Sequence, residues 1–388
     1  MNGKCCVGNN SIIEDGSILL SEYAALVADT DILPKDDLAP ALMGLFGEVG
    51  GIMSTAKKHV RDTKAYPGYR KAAQEEFGDT LWYLAAVCRR LNISLNTIFS
   101  EMASGDGFAK SCAASDLAFG GVAHISTPIP LPAIDDALFQ LGRAASSLLD
   151  VEIGVDTPEK LRAFVRCYLA ALNVSKLGFS DIVRMNIAKT RGAFLIPEAA
   201  TLPTFDDQFQ HEEQIPDRFK IRINQRKSGR SYLRWNDVFI GDPLTDNISD
   251  PDGYRFHDVF HLSHAAILHW SPVFRSLIKQ KRKSDRKFDE TQDGGRAIVV
   301  EEGLTAWIFA RAKELDYFEG HDRVSYGLLK TVQEFTSGYE VAACPLKLWE
   351  RAILDGFKVF RQIRSAEGGW VIGDRRTRTI IFSPLEQE

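Results

Sequence analysis

The spacing of apolar residues changes once along this 388-residue chain, and that change limits the folds open to it. In the front half, apolar side chains recur at three- and four-residue steps. Leu81, Leu84, Cys88 and Leu91 make one such face, the mark of an amphipathic helix. Asp156-Thr157-Pro158-Glu159 joins a capping side chain to a proline in the first turn and predicts a helix start. Ser104-Gly105-Asp106-Gly107 and Ser126-Thr127-Pro128-Ile129-Pro130 read as breakers, and residues 197–216, with prolines and acids, as a linker. Beyond the linker the period drops to two. Phe219-Lys220-Ile221-Arg222-Ile223 predicts a strand, with residues 232–240 as its partner and short strands at 370–372 and 377–382. Helices are expected again at 256–270, 297–312 and 346–363. The expected fold is mainly α. It consists of a helical unit over 1–110, a degenerate second helical unit over 111–200 completing the bundle, and a smaller α+β domain over 201–388. The second unit is suggested by Tyr83-Leu84-Ala85-Ala86 returning as Tyr168-Leu169-Ala170-Ala171.

Composition narrows the function classes. A chain with 45% hydrophobic and 26% charged residues can bury an ordinary core without disulfide or metal staples. A net charge of −5 argues against a dedicated nucleic-acid binder. No apolar run reaches the ~18–20 residues of a membrane span, and the amino terminus lacks the apolar stretch of a signal peptide. The six cysteines form no Cys-x-x-Cys pair, which fits a reducing compartment, so a cytoplasmic location is expected.

Two helical segments of the front half carry acids. One is Gly47-Glu48-Val49-Gly50-Gly51, followed by Lys57-Lys58. The other is Glu75-Glu76-Phe77-Gly78-Asp79-Thr80-Leu81-Trp82-Tyr83-Leu84. Glu76 and Asp79 leave one helix face three residues apart. Clustered carboxylates repel unless a cation sits among them, and hard oxygen donors suit Mg²⁺ or Mn²⁺. A solvated helix face is the plain alternative for such spacing. Trp82 and Tyr83 can stack on a base or fill a bundle core.

The whole string resembles the MazG-type all-α nucleotide pyrophosphohydrolases over residues 18–105. Their pattern is Glu-x-x-Glu, a basic residue or two, then Glu-x-x-Asp running into a Leu-Trp-Tyr-like stretch. The resemblance implies a helical bundle that forms a homo-oligomer. It also implies Mg²⁺-dependent cleavage of a nucleoside or deoxynucleoside triphosphate to monophosphate and pyrophosphate. Carried over, Glu48, Glu76 and Asp79 are the catalytic metal ligands, and Lys57 or Lys58 is a phosphate contact. The family's second glutamate of the first motif falls at Gly51, so one ligand is missing. A water or Glu75 can stand in, and weakened catalysis, leaving a nucleotide-binding sensor, is the alternative outcome. In the degenerate unit the acids correspond to Arg143, Leu161 and Phe164. That unit ends on Asn186-Ile187-Ala188-Lys189-Thr190-Arg191, where Asn186, Lys189 and Arg191 resemble the phosphate- or sugar-holding end of related bundles.

The back half has its own concentration of chemistry. His257, His261, His264 and His269 lie within thirteen residues. The first three, with Asp258, share a helix, and His257, His261 and His264 share its face, while His269 points elsewhere. Glu301 and Glu302 open a later helix. Two imidazoles from one helix and a carboxylate from another can hold Zn²⁺, Fe²⁺ or Mn²⁺. A second transition-metal site and a metal-dependent hydrolase are thus one expectation, and buried hydrogen-bonded histidines the other. The run from Gly241 through this helix resembles the C-terminal domain accompanying some bacterial MazG-like proteins, a resemblance that implies no particular chemistry. The basic run 279–287 can touch phosphates or RNA, with a solvated helix end as the alternative.

Overall fold

The computed structural model describes residues 18–103, 118–119, 132–150 and 156–385. It divides once, into Met1–Arg191 and Gly192–Glu388. The breakers at 104–107 and 126–130 lie outside the described residues.

The first unit is helical. Its helices are α1 (Leu20–Ala28), α2 (Ala39–Asp62), α3 (Tyr69–Arg90), α4 (Leu95–Ala103), α5 (Ile134–Leu149), α6 (Thr157–Val174) and α7, which starts at Phe179. A two-residue antiparallel bridge joins Ile18–Leu19 (β1) to Ala118–Phe119 (β2). The dominant pairings are α2 with α3 and α5 with α6, and α2 also packs on α5. Leu42, Leu45, Val49 and Ile52 from α2 meet Phe77, Leu81 and Leu84 from α3 in one buried core, following the predicted periodicity. Close approach of α2 and α3 needs Gly44, because a Cβ there would lie 2.0 Å from the Tyr83 ring. Trp82 is buried and its indole donates to Thr30 Oγ1 at 2.8 Å, so it belongs to the core.

The second unit is α+β. Its sheet is antiparallel in the order β5-β4-β3-β6-β7, made by β3 (Arg218–Gln225), β4 (Ser231–Trp235), β5 (Val238–Leu244), β6 (Gly368–Asp374) and β7 (Thr379–Ser383). Asn236 and Asp237, both at positive φ, make the tight turn between β4 and β5. The helices are α8 (Asp258–Ser263), α9 (Pro272–Leu277), α10 (Arg286–Thr291), α11 (Gly295–Lys313), α12 (Tyr326–Phe335) and α13 (Leu346–Ala366). The last of these packs on α8 and on β6 and β7. Phe260, Phe309, Phe357 and Phe360 form an aromatic centre between α8, α11 and α13.

Three local expectations are corrected. The helix expected over 256–270 is broken: α8 passes into a π-turn at His264–Leu268 and stops at His269, which is left-handed (φ 60°). The supposed linker is anchored rather than loose. Asp206 is fully buried, accepting from Ile215 N at 2.8 Å and from the guanidinium groups of Arg275 and Arg375. In the basic run, Arg282 is not solvated; it lies in the core, paired with Asp293 and Glu340.

Candidate functional sites

In the first unit, α3 presents Glu75, Glu76 and Asp79 from successive turns, α2 presents Glu48, and α7 presents Asn186 and Lys189. The Lys189 ammonium donates to Glu75 Oε1 at 2.8 Å and to Asp79 Oδ2 in a shorter contact. Asn186 turns its amide nitrogen to Asp79 Oδ1 at 3.3 Å, while its carbonyl oxygen accepts from the buried Tyr23 hydroxyl at 2.9 Å. The tyrosine thereby fixes which way the amide points. Burial raises the Asp79 carboxyl above its ordinary range, and Lys189 pulls it back. Glu48 is pushed up to about 8, first by burial, then by the charges of Asp79 and Glu76 and a hydrogen bond to Glu76. A proton shared by two carboxyls is one way to hold them close.

Gly51 has a part in this arrangement. A Cβ there would lie 2.1 Å from Glu76 Oε2, so the Glu76 carboxylate occupies the space a side chain would need. Lys57 and Lys58 sit at exposed positions more than two turns beyond Glu48 on α2, and Arg191 is half-buried in the last turn of its helix. The structure thus brings together Glu48, Glu75, Glu76, Asp79, Asn186 and Lys189, but not Lys57 and Lys58. Tyr23 joins the cluster from α1, outside every motif, and no spacing signal announces it.

In the second unit, four groups fix Glu301. Its Oε1 accepts from His261 Nδ1 and His264 Nδ1, each at 3.0 Å, and its Oε2 from Ser271 Oγ at 3.0 Å and Val273 N at 2.9 Å. The π-turn and the reversal at His269 return the chain so that Ser271 and Val273 can reach this carboxylate. Burial opposes its charge, yet His261 and His264 hold the Glu301 pKa down at about 2. Burial likewise opposes a charge on His261, but Glu301 and Glu302 outweigh it and push that imidazole up to about 10. Burial lowers His264.

Glu302, the next residue on α11, is 40% exposed. Its Oε2 lies 3.5 Å from His257 Nε2 and 3.4 Å from His261 Nε2. Asp258 is buried beside them, its carboxyl raised by desolvation. Among the described residues, ligand atoms of three such groups come within 4.8 Å of one another in His257–His261–Glu302 and in His261–His264–Glu301. His269 stands apart, with Nε2 2.9 Å from the Arg375 carbonyl oxygen. No helix among the described residues is long and apolar enough to cross a membrane.

A family match falls within the second unit. The MazG C-terminal domain family matches residues 200–386. The Gene 37 protein of Mycobacterium phage L5 is 33% identical over 85 residues, covering 20% of this chain and 75% of the phage protein. No solved structure matches. The chain is a MazG-like protein that carries the family's C-terminal domain.

Proposed function

We propose that this MazG-like chain is a nucleoside triphosphate pyrophosphohydrolase acting at the Glu48–Glu76–Asp79 cluster of its helical unit. The observation that carries this reading is the meeting of four carboxylates from α2 and α3 with Asn186 and Lys189 from α7. A polyanionic substrate needs charge neutralisation and fixed donors more than covalent chemistry. The donor set is all oxygen, as Mg²⁺ or Mn²⁺ prefers, and the charges of Asp79 and Glu76 that help to raise the Glu48 carboxyl are a repulsion of the kind a divalent ion relieves. Glu48, Glu76 and Asp79 would hold the ion, with Glu75 at the edge of the group. Bound there, it would neutralise phosphate charge and polarise a water for attack. Lys189 exchanges a carboxylate for a phosphate oxygen when substrate enters. Asn186, oriented by Tyr23, keeps Asp79 in register.

The test is direct. Incubation with a panel of ribo- and deoxynucleoside triphosphates should release pyrophosphate rather than orthophosphate, and only with Mg²⁺ or Mn²⁺ present. Lys189 already neutralises two of the acids, and Gly51 supplies no ligand, which also favours a sensor that binds without cleaving. Saturable nucleotide binding with no pyrophosphate would select that reading. Neither binding nor release with any nucleotide would remove both.

A further inference from the structure

Two histidines of the second unit are set up as ligands, and neither is used by the chemistry proposed for the first. His257 and His261 stand one helical turn apart at the start of α8. The Nδ1 of His257 is 2.9 Å from the Tyr254 carbonyl oxygen, and the Nδ1 of His261 is 3.0 Å from Glu301 Oε1. A carbonyl oxygen and a carboxylate oxygen only accept, so both Nδ1 atoms are donors. In the neutral ring the lone pair then sits on Nε2, where a bound cation would take the place of a proton. Outer acceptors of this kind fix the tautomer and ring direction of metal-binding histidines. Ring packing adds to the orientation, since His257 stacks on Tyr254 with centroids 4.3 Å apart and planes 8° from parallel.

Both Nε2 atoms lie near the same carboxylate oxygen, Glu302 Oε2, at 3.5 and 3.4 Å. His261 is wholly buried, and its Nε2 has no hydrogen-bond partner. A buried ring nitrogen without a partner, next to two carboxylates, calls for an explanation. Glu301 cannot be the missing partner, because four donors already occupy its two oxygens.

We propose that His257 Nε2, His261 Nε2 and the Glu302 carboxylate bind a divalent transition ion of the Zn²⁺, Fe²⁺ or Co²⁺ class, with Glu301 as the positioning residue behind His261. Two imidazoles and one carboxylate favour these ions over Mg²⁺ or Ca²⁺. Three protein ligands leave a coordination position vacant, and the exposed flank of Glu302 places that position toward solvent. This is the arrangement of a reactive site, not of a closed structural one. A water or an anionic oxygen would complete it.

The experiment uses the full untagged chain, stripped with a chelator, dialysed and titrated with Co²⁺. One ion per chain is expected, giving the visible absorption of a nitrogen-ligated, low-coordinate cobalt, and Zn²⁺ should displace it. Cobalt held by the carboxylates of the first unit would be octahedral and nearly colourless, so the two sites are distinguished by spectrum. Glu302→Gln and His257→Ala should each weaken binding by more than the ~10–100-fold typical of an outer partner. Glu301→Gln should fall within that range. Glu302 is part-exposed, so its variant tests the site even if His257→Ala does not fold. Absence of a one-to-one coloured complex, or its survival unchanged in Glu302→Gln, overturns the proposal.

Discussion

The two units each gather carboxylates on adjacent helices, but they balance that charge in opposite ways. In the first unit the counter-charge is a flexible ammonium. Lys189 reaches from α7 to Glu75 and Asp79, and it can leave when a better cation or a phosphate arrives. In the second unit the partners are imidazoles fixed on α8, and the inner acid, Glu301, is saturated from both sides. A cluster closed by a mobile lysine suits a substrate that brings its own charge. One closed by oriented imidazoles suits a small ion. Similar residue types on neighbouring helices thus suit different ligands, and the difference lies in what sits opposite them.

The largest effect expected from this difference is at Asp79. It accepts from both Lys189 and Asn186, so Asp79→Asn removes the charge while keeping the shape. Loss of a metal-ligating carboxylate should cost several kcal/mol of transition-state stabilisation, roughly 1000-fold or more in pyrophosphate release. Lys189 keeps Glu75 as a partner, so the melting temperature should change little. Steady-state assay beside thermal unfolding checks both, and undiminished turnover would mean that Asp79 does not hold the catalytic ion.

A histidine facing arginines gives the next effect. His269 is lowered to about 4 by burial and by Arg375 and Arg378, with Asp206 acting weakly the other way. Its folded pKa lies below the unfolded value of roughly 6.5. The stabilisation from keeping it neutral is therefore complete above about pH 6.5 and lost as pH falls through 4. The loss amounts to about 3 kcal/mol at the acid limit. Asn tolerates the left-handed backbone at this position. Urea unfolding of the chain and of His269→Asn at pH 7 and pH 5 should show a shallower acid loss in the variant. Equal slopes would assign the acid sensitivity to other groups.

Lys189→Gln sharpens the contrast from the other side. A hydrogen bond to a charged partner contributes ~1.5–3 kcal/mol, so turnover should fall by about 10- to 100-fold with a higher KM for the nucleotide. Mg²⁺ binding without nucleotide should tighten, because Asp79 and Glu75 lose their resident cation. Calorimetry on the free protein reads the second effect. Weaker Mg²⁺ binding in Lys189→Gln would show that the lysine organises the acids instead of competing for them.

Much of this is legible in the amino-acid sequence, but unevenly. The Glu76–Asp79 spacing and the Asn186-x-x-Lys189 segment can be read because each follows helical geometry within one element. Tyr23 and the role of Gly51 cannot, since both depend on which helices come into contact. The histidine run is visible, but its period predicts an unbroken helix to residue 270. The π-turn and left-handed His269 that bring Ser271 to Glu301 leave no mark in a 3.6-residue pattern. Asp206 and Arg282 depart from expectation for a common reason. Charged residues in proline-rich or basic stretches are normally solvated, and only their distant partners make burial tolerable.

The smallest effect expected is at Gly51, and it separates stability from chemistry. Alanine in place of glycine in mid-helix favours the fold by up to ~1 kcal/mol. Its Cβ would meet only the tip of the Glu76 side chain, which can rotate away without moving the backbone. Gly51→Ala should therefore melt at the same or a slightly higher temperature while Glu76 is displaced from Glu48. That displacement removes the hydrogen bond that raises the Glu48 pKa, so the pH at which Glu48 titrates should fall, as read by carboxyl NMR. Pyrophosphate release should drop if Glu76 must face Glu48 for catalysis. Gly51→Glu adds the carboxylate that the family pattern carries at this position, but in the space Glu76 now uses. Higher turnover in Gly51→Glu than in Gly51→Ala would show that a new carboxylate can replace the displaced one. Equal loss in both would show that the glycine is there to admit Glu76.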